Sequence, residues 1–396
     1  MRNIFRDLFR PPEAKASRVA QLIQLESPSR ARWTPRDYAS LAREGYVGNA
    51  IVHRAVRLVA ESAASVPFLV YEGAREHEAH ALAALLARPN PRQERAVFLE
   101  SVCAHLLLAG NAYIEAVAVD GEADAKPDVR ELYALRPDRM RVVPGADGWP
   151  EAYEYVVGAR SLRFAQTGAL PPILHLSQFH PLDDHYGLSP LEAAAVAVDT
   201  HNAAAKWNKA LLDNAARPSG ALVYTGPEGA VLSDGQFERL KRELEEQYQG
   251  TANAGRPLLL EGGLDWKAMS LSPKDMDFME ARNSAAREIA LAFGVPPMLL
   301  GIPGDNTYSN YQEANRVFWR GTVLPLASRI GAALAQWLAP AFGEGLRLAV
   351  DADAVPALAF DRAALWDQVT RAPFLTINEK REATGYSPLE GGDRIV

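Results

Sequence analysis

The 396 residues hold one cysteine, and that scarcity is informative. A lone Cys103 cannot close an internal disulfide, which points to a reducing compartment. In the run VCAHLLLA it reads as a small buried hydrophobe and not as a nucleophile. No stretch of about 18 apolar residues occurs, so no membrane-spanning helix is expected. Positive charge is also in short supply. Lys and Arg number 42 against 49 Asp and Glu, leaving a net charge of -7 and a pI near 5.7. Gripping phosphates requires the opposite balance, which argues against a protein that holds nucleic acid electrostatically. It does not argue against one that surrounds nucleic acid and lets it slide. The chain has no G-x-x-x-x-G-K-[ST] loop, no H-E-x-x-H, no C-x-x-C and no G-x-S-x-G. ATP hydrolysis, zinc-peptidase chemistry and serine-hydrolase chemistry therefore lack their motifs, and no cofactor is expected. Sequence repeats and low-complexity tracts are missing as well.

A hydrophobic fraction of 48% and a charged fraction of 23% are those of an ordinary folded protein. The length exceeds the roughly 150 residues of an average domain, so two or more packed parts are expected. The opening MRNIFRDLFR places Ile4, Phe5, Leu8 and Phe9 on one helical face, with Arg2, Arg6 and Arg10 elsewhere. It lacks a signal-peptide core and reads as a docked or frayed terminal helix. Residues 11–35, rich in Pro, Ala, Ser and Arg, read as an extended lead-in. Apolar spacing then predicts a helix over 49–64, a strand over 66–71, and helices over 79–87 and 96–108. Short β-rich stretches follow at 113–119, 132–135, 141–143, 153–157 and 173–176, separated by turn residues. The first half is thus a mixed α/β unit with antiparallel strands.

Long helices dominate the second half. Ser189, Pro190 and Glu192 form a helix start, and the helix should run to about 216, before Arg217-Pro218. A small α/β insert holds strands at 221–224 and 257–260 and a charged helix over 234–248. Another helix, over 274–293, opens on Ser272, Pro273, Asp275 and Asp277 and closes at Gly294 and Pro296-Pro297. The loop GIPGDNTYSN leads into one helix over 311–338, roughly 40 Å long if straight, with Ser309 and Gln312 placed for a capping box. Pro325 lies inside that helix. Its ring would clash with the carbonyl of Gly321, which predicts a kink around 321–325. A strand at 346–350 and helices over 361–372 and 378–384 complete the chain.

Candidate chemistry is thin. HPLDDHYG gathers His180, Asp183, Asp184 and His185 at a spacing compatible with a two-His, one-carboxylate metal site. Pro181 and Gly187 beside a helix cap give the same string the look of a polar turn. DADA at 351–354 lacks the glycine and distal Glu of a calcium loop, and Pro303 and Asp305 spoil Gly301–Gly304 as a phosphate cradle. In the helix over 234–248, Arg239, Lys241 and Arg242 stand against Glu238, Glu243, Glu245 and Glu246. That is a partner-facing or solvated face, not a nucleic-acid stripe.

Strings in order from Tyr46 to Asp393 resemble the phage portal protein family, in its branch found with lambda-like long-tailed phages. They are GNAIVHRAVRLVAESAASVPFLVY, LLARPNP, LLLAGNAYIEA, ELYALRPDRM, GLSPLEAA, NAGRPLLLEGGLDWKAMSLSP, EIALAFGVPPMLLG, TYSNYQEANRVFWRGTVLPL and LTINEKREATGYSPLEGGD. The alanine- and arginine-rich wording also resembles portals of gene transfer agents, which are domesticated phage particles.

The resemblance implies an α+β portal fold assembled as a homo-oligomeric ring, usually a dodecamer, at the unique capsid vertex. Mapped onto this chain, it makes 1–35 the lead-in, 36–187 an α/β wing, 188–217 the first stem helix and 218–272 a small α/β clip. Residues 273–297 become the second stem helix, 298–310 the tunnel loop, 311–359 a kinked channel helix with a strand returning to the wing, and 360–396 a short helical crown. Asp305, Asn306, Thr307, Tyr308, Ser309 and Asn310 would meet double-stranded DNA passing without sequence readout. Arg239, Lys241, Arg242, Glu245 and Glu246 of the clip would dock the terminase large subunit during filling and the head-to-tail adaptor afterwards. The major capsid protein would surround the ring, and no membrane would be involved. Two other readings stand beside this one. One is a metal-dependent nuclease or hydrolase using His180, Asp183 and His185. The other is a capsid scaffold without a channel.

Overall fold

The computed structural model describes residues 33–73, 75–77, 79–119, 126–213, 220–224, 233, 235–236, 238–239, 242, 264–268, 278–304, 308–384, 386 and 388–395. Met1–Thr34 and Pro35–Val396 are separate units. The expectations for 1–32 lie outside the described residues. Every described helix and strand belongs to the second unit.

The second unit opens with a short helix, α1 (Tyr38–Leu41), which runs into a π-helical turn, Ala42–Val47. Asn49 then starts α2 (Ala50–Ser65) by accepting the backbone N–H of Ile51 at 3.0 Å and of Val52 at 3.2 Å. These are two of the donors that a helix start leaves open. The stripe read from the sequence is the buried one: Val52, Ala55, Val56, Val59 and Ala63 face inward, joined by Ala60 and Ala64. Burying a valine side chain completely is worth about 1.5–3 kcal/mol, so this face fixes the helix firmly. Strands β1 (Phe68–Glu72) and β2 (Arg75–Glu76) and helix α3 (Ala81–Ala87) follow.

Helix α4 (Arg95–Ala109) is apolar on every side, with Phe98, Leu99, Val102, Cys103, Leu106, Leu107 and Leu108 all buried. A helix of that kind must be covered all round, and α4 lies between α2 and β3 (Asn111–Val119). Gly110, at φ 70°, ends the helix in the left-handed conformation and turns the chain straight into β3. β3 is the centre of an antiparallel sheet, flanked by β4 (Asp128–Leu135) and, after β5 (Met140–Pro144), β6 (Pro150–Val157) and β7 (Arg160–Ala165), by β8 (Ile173–Ser177). β5, β6 and β7 form a second antiparallel sheet. The outer strand β7 was not foreseen. RSLRFA is mostly exposed, and its apolar alternation is limited to Leu162 and Phe164.

The helix capped by Ser189, whose hydroxyl accepts the N–H of Glu192 at 2.9 Å, is interrupted. It comprises α5 (Pro190–Ala193), a turn at Ala194, and α6 (Ala195–Asp213). β9 (Gly220–Tyr224) pairs antiparallel with β10 (Leu264–Ala268), which was not expected, while the strand expected at 257–260 lies outside the described residues. α7 (Phe278–Ala292) packs along α6, and Gly294 follows it at φ 64°. The capping residues expected at 272–277 also lie outside the described residues.

The long helix differs from its expected form. It is built of α8 (Tyr308–Phe318), a π-helical turn (Trp319–Val323) and α9 (Leu324–Phe342). The N–H of Leu324 reaches the carbonyl of Trp319, one residue farther back than in an α-helix. Pro325 stands in the first turn of α9, where its missing N–H is least costly. The sequence predicts a kink around Gly321 and Pro325; the structure has a π-helical turn there, with Gly321 inside it and Pro325 just beyond. Ser309 is inside α8 and does not cap it as expected. β11 (Leu346–Val350) returns to pair antiparallel with β1, giving the order β11–β1–β2. Helices α10 (Ala359–Arg371) and α11 (Ile377–Ala383) end the fold, and Thr376 and Glu379 form a complete capping box that the sequence pattern had not suggested.

Candidate functional site

The strings LLLAGNAYIEA and GLSPLEAA meet in space. Gly110 and Gly187 cross backbone to backbone, and the N–H of Gln178 donates to the Gly110 carbonyl at 2.7 Å. Asn111 organises the crossing. Its Oδ1 accepts from the N–H of Gly187 at 2.8 Å and from Nε2 of His175 at 2.9 Å, and its Nδ2 donates to the carbonyls of Ala109 at 2.8 Å and Gly187 at 3.3 Å. That set places the His175 proton on Nε2 and leaves Nδ1 to accept from the Tyr153 hydroxyl at 3.3 Å. His175 also stacks on Tyr113, with ring centroids 4.3 Å apart. Burial, helped by nearby His185, drives the His175 pKa down to about 4, so the ring is neutral at ordinary pH.

The cluster at His180–His185 is engaged in holding its own turn. Asp183 Oδ1 accepts the N–H of His185 at 2.8 Å and of Tyr186 at 2.9 Å, and those bonds hold its carboxyl below the ordinary range. His180 Nδ1 accepts the N–H of Leu182 at 3.0 Å, and the Tyr186 hydroxyl accepts the N–H of Val142 at 3.0 Å. Among the described residues no three His, Cys, Asp or Glu side chains converge to hold a metal ion. Cys103 is buried, its thiol pushed up to about 12 by desolvation, so it is no nucleophile.

A second polar junction ties α2 to the α6–α7 pair. Asn49 Nδ2 lies 3.1 Å from His201 Nδ1 and 2.9 Å from Asn202 Oδ1. Asn202 Nδ2 donates to the Glu44 carbonyl at 2.9 Å, and Arg282 Nε lies 3.4 Å from His201 Nε2. Polar residues at 49, 201 and 202 carried no motif. Asn49 stands where a capping residue precedes an apolar helix, a signal the sequence does offer, whereas His201 and Asn202 could be marked only by their place within α6.

The segment expected to touch DNA starts from a tightly held base. Arg287 Nη2 donates to the Pro303 carbonyl at 2.5 Å, and Thr322 Oγ1 donates to the Gly294 carbonyl at 2.6 Å. Asp305, Asn306 and Thr307 lie outside the described residues. Tyr308, Ser309 and Asn310 are not loop, as expected, but the first turn of α8, where Ser309 and Asn310 are exposed. A helix is preferred there because YSNYQEANRVF carries no breaker and places Phe318 in the core. Of the expected docking residues, Arg239 and Arg242 are helical and exposed, whereas Lys241, Glu245 and Glu246 lie outside the described residues. At the C-terminus, buried Asn378 closes the last helix onto the chain end. Its Nδ2 donates to the Leu389 carbonyl at 3.0 Å and to Asp393 at 2.8 Å, and its Oδ1 accepts the N–H of Leu389 at 2.7 Å.

The family model described as phage portal protein matches residues 50–385. An uncharacterised protein of Rickettsia felis is 44% identical over 356 residues, covering 89% of this chain and 90% of that protein. The portal protein of Enterobacteria phage HK97 is 27% identical over 376 residues, covering 89% of this chain and 85% of that protein. A chain from the neck of an empty gene transfer agent particle superposes with a TM-score of 0.71 at 53% identity, covering 94% of this chain and 99% of the other.

Proposed function

The chain belongs to the phage portal protein family, and from that premise we propose how its parts serve a DNA conduit. A portal protein is a structural component of the particle, the ring at one capsid vertex through which DNA enters and leaves. The observation that carries the finer reading is the likeness, along 94% of the chain and at 53% identity, to a neck subunit of a gene transfer agent. It supports a dodecameric ring in a particle of that kind.

In this reading the antiparallel sheets and α2–α4 form the wing, α5–α6 and α7 the stem, the β9–β10 region the clip, α8–α9 the channel helix, and α10–α11 a short crown. Chain composition suits passage. With a net charge of -7 the chain has no surplus of positive charge with which to hold phosphate, and Ser309 and Asn310 at the start of α8 are uncharged. DNA then slides non-specifically, touched weakly from Asp305 to Asn310. Arg239 and Arg242, with Lys241, Glu245 and Glu246, dock the terminase large subunit and later the head-to-tail adaptor, while the major capsid protein encloses the wing. Catalysis lies with the motor and not with this chain. The engagement of Asp183 and His180 in their own turn favours that over the metal-hydrolase reading.

Electron microscopy of the purified protein tests the proposal. Rings with a central hole are expected, and one ring at a single vertex of each particle. Many copies distributed over the shell would support the scaffold reading instead, and stoichiometric bound metal with nuclease activity would revive the hydrolase.

A further inference from the structure

Both ring nitrogens of His201 face hydrogen-bond donors. Asn49 cannot present its oxygen to the ring, because Oδ1 already takes the N–H groups of Ile51 and Val52. Its Nδ2 must therefore point at His201 Nδ1, 3.1 Å away, and at Asn202 Oδ1, 2.9 Å away. Asn202 in turn spends its own Nδ2 on the Glu44 carbonyl, which fixes the end of its amide that meets Asn49. Nδ1 of His201 thus has to be the lone-pair nitrogen, and the single proton of a neutral ring sits on Nε2. Nε of Arg282, also a donor, lies 3.4 Å from Nε2, so in the neutral ring the Nδ1 contact with Asn49 is the one that forms a hydrogen bond and the Nε2 contact with Arg282 is not. His201 is 6% exposed.

We infer that Asn49, His201 and Arg282 form a proton-sensitive joint between α2 and the α6–α7 pair, closed when His201 is neutral and opened when it takes a second proton. That proton would go to Nδ1, directly against an Asn49 N–H. The hydrogen bond would become a repulsion, and an imidazolium would stand beside a guanidinium with no acceptor between them. Arg282 is the charged group that faces the ring from α7. α2 presents Asn49, which is neutral. Glu44 of the π-helical turn reaches the joint through its backbone carbonyl, while its carboxylate lies 3.7 Å from Lys206 and is not aimed at the ring. The surroundings agree in direction: burial and Arg282 both lower the pKa of His201 below its ordinary value.

The joint lies where α2 and α7 also touch directly and α6 touches the π-helical turn, so loosening it weakens the packing among these segments. Hydrogen exchange on the full chain, corrected for intrinsic rates and run at about pH 7.5 and about pH 5, tests this. Peptides spanning residues 45–56 and 198–206 should exchange about tenfold faster at the lower pH. His201→Asn keeps an acceptor near the Nδ1 position but cannot be protonated, so it should remove that step while staying protected at neutral pH. Arg282→Gln should keep the step and move its midpoint upward. It also serves as the working variant should His201→Asn fail to fold. No change at low pH in the wild-type peptides, or the same acceleration in His201→Asn, or a midpoint unmoved by Arg282→Gln, overturns the inference.

Discussion

Gly110 and Gly187 exclude any side chain from each other's place. A Cβ on Gly187 would collide with the Gly110 oxygen, and one on Gly110 would collide with the Gly187 oxygen. The obstacle on each side is backbone, which cannot rotate away. Gly187→Ala should therefore destabilise the protomer by roughly 3 kcal/mol, the upper end of overpacking costs. Chemical denaturation checks it. A loss below about 1 kcal/mol would mean the crossing is loose.

Gly321 makes the opposite case. It lies in the π-helical turn, it is exposed, and a Cβ there meets no atom within 4 Å. Gly321→Ala should be neutral or raise stability by about 0.5–1 kcal/mol, since glycine loses the most backbone freedom in a helix. The same unfolding experiment measures it, and a clear destabilisation would show that the turn needs glycine for a reason other than space.

Stability should fall with acid for an identifiable reason. Burial drives both His105 and His175 from an ordinary 6.5 down to about 4. The unfolded chain binds protons at these sites from about pH 6.5 downward and the folded chain does not, so folding free energy is lost between about pH 6.5 and about pH 4 and levels off below. His175→Phe keeps an aromatic face against Tyr113 and deletes one titration. In thermal melts across this range its loss of stability should be shallower than that of the wild type. An equal slope would remove His175 from the account.

What could be read from the sequence was whatever rests on local pattern. The α2 stripe from Val52 to Ala63, the glycine stop at 110, the Ser189 start and the strand over 346–350 all announce themselves in neighbouring residues. What could not be read depends on distant partners. Tyr308–Asn310 joined α8 because Phe318, farther along, is anchored in the core. The wide turn at Trp319–Val323 left no trace but Pro325. Asn111, between a helix stop and a strand, and Asn378, at a helix start, carried no motif and proved to be hydrogen-bond hubs. Their partners lie up to 76 and 15 residues away in the chain, beyond the reach of any periodicity. The HPLDDHYG string is legible in the same local way: Pro181 and Gly187 give it the look of a polar turn, and its acidic and imidazole groups serve the turn they sit on.

Leu291 stands on α7 with 80% of its surface exposed, next to the fully buried Ala290. An outward leucine on a helix costs little in the protomer and contributes only when a second surface covers it. We propose that in a ring that surface belongs to the neighbouring copy. Leu291→Asp should leave the far-ultraviolet spectrum and unfolding midpoint unchanged while shifting sedimentation from rings toward single subunits. Intact rings in the variant would place the subunit contact on another face.

Pro325 tests whether the wide turn has a role in passing DNA. Its ring cannot accept a standard helical carbonyl behind it, and the Leu324 N–H bond to the Trp319 carbonyl is the backbone's accommodation. In Pro325→Ala the constraint disappears and the turn can tighten to ordinary α-helix. Tightening the turn changes the twist between α8 and α9, opposed by Phe318 of α8, which is buried in the core. The direction of Ser309 and Asn310 would shift as far as that anchor lets α8 turn, whereas α9, held by the Trp337 Nε1 bond to the Pro171 carbonyl at 2.8 Å, would not move. Ring assembly should be retained and DNA content per particle should fall. Counting rings by microscopy and DNA per particle by nuclease protection separates the two effects. Normal DNA content would show that the orientation of α8 is immaterial to passage, and a failure to form rings would mean that the turn serves assembly instead.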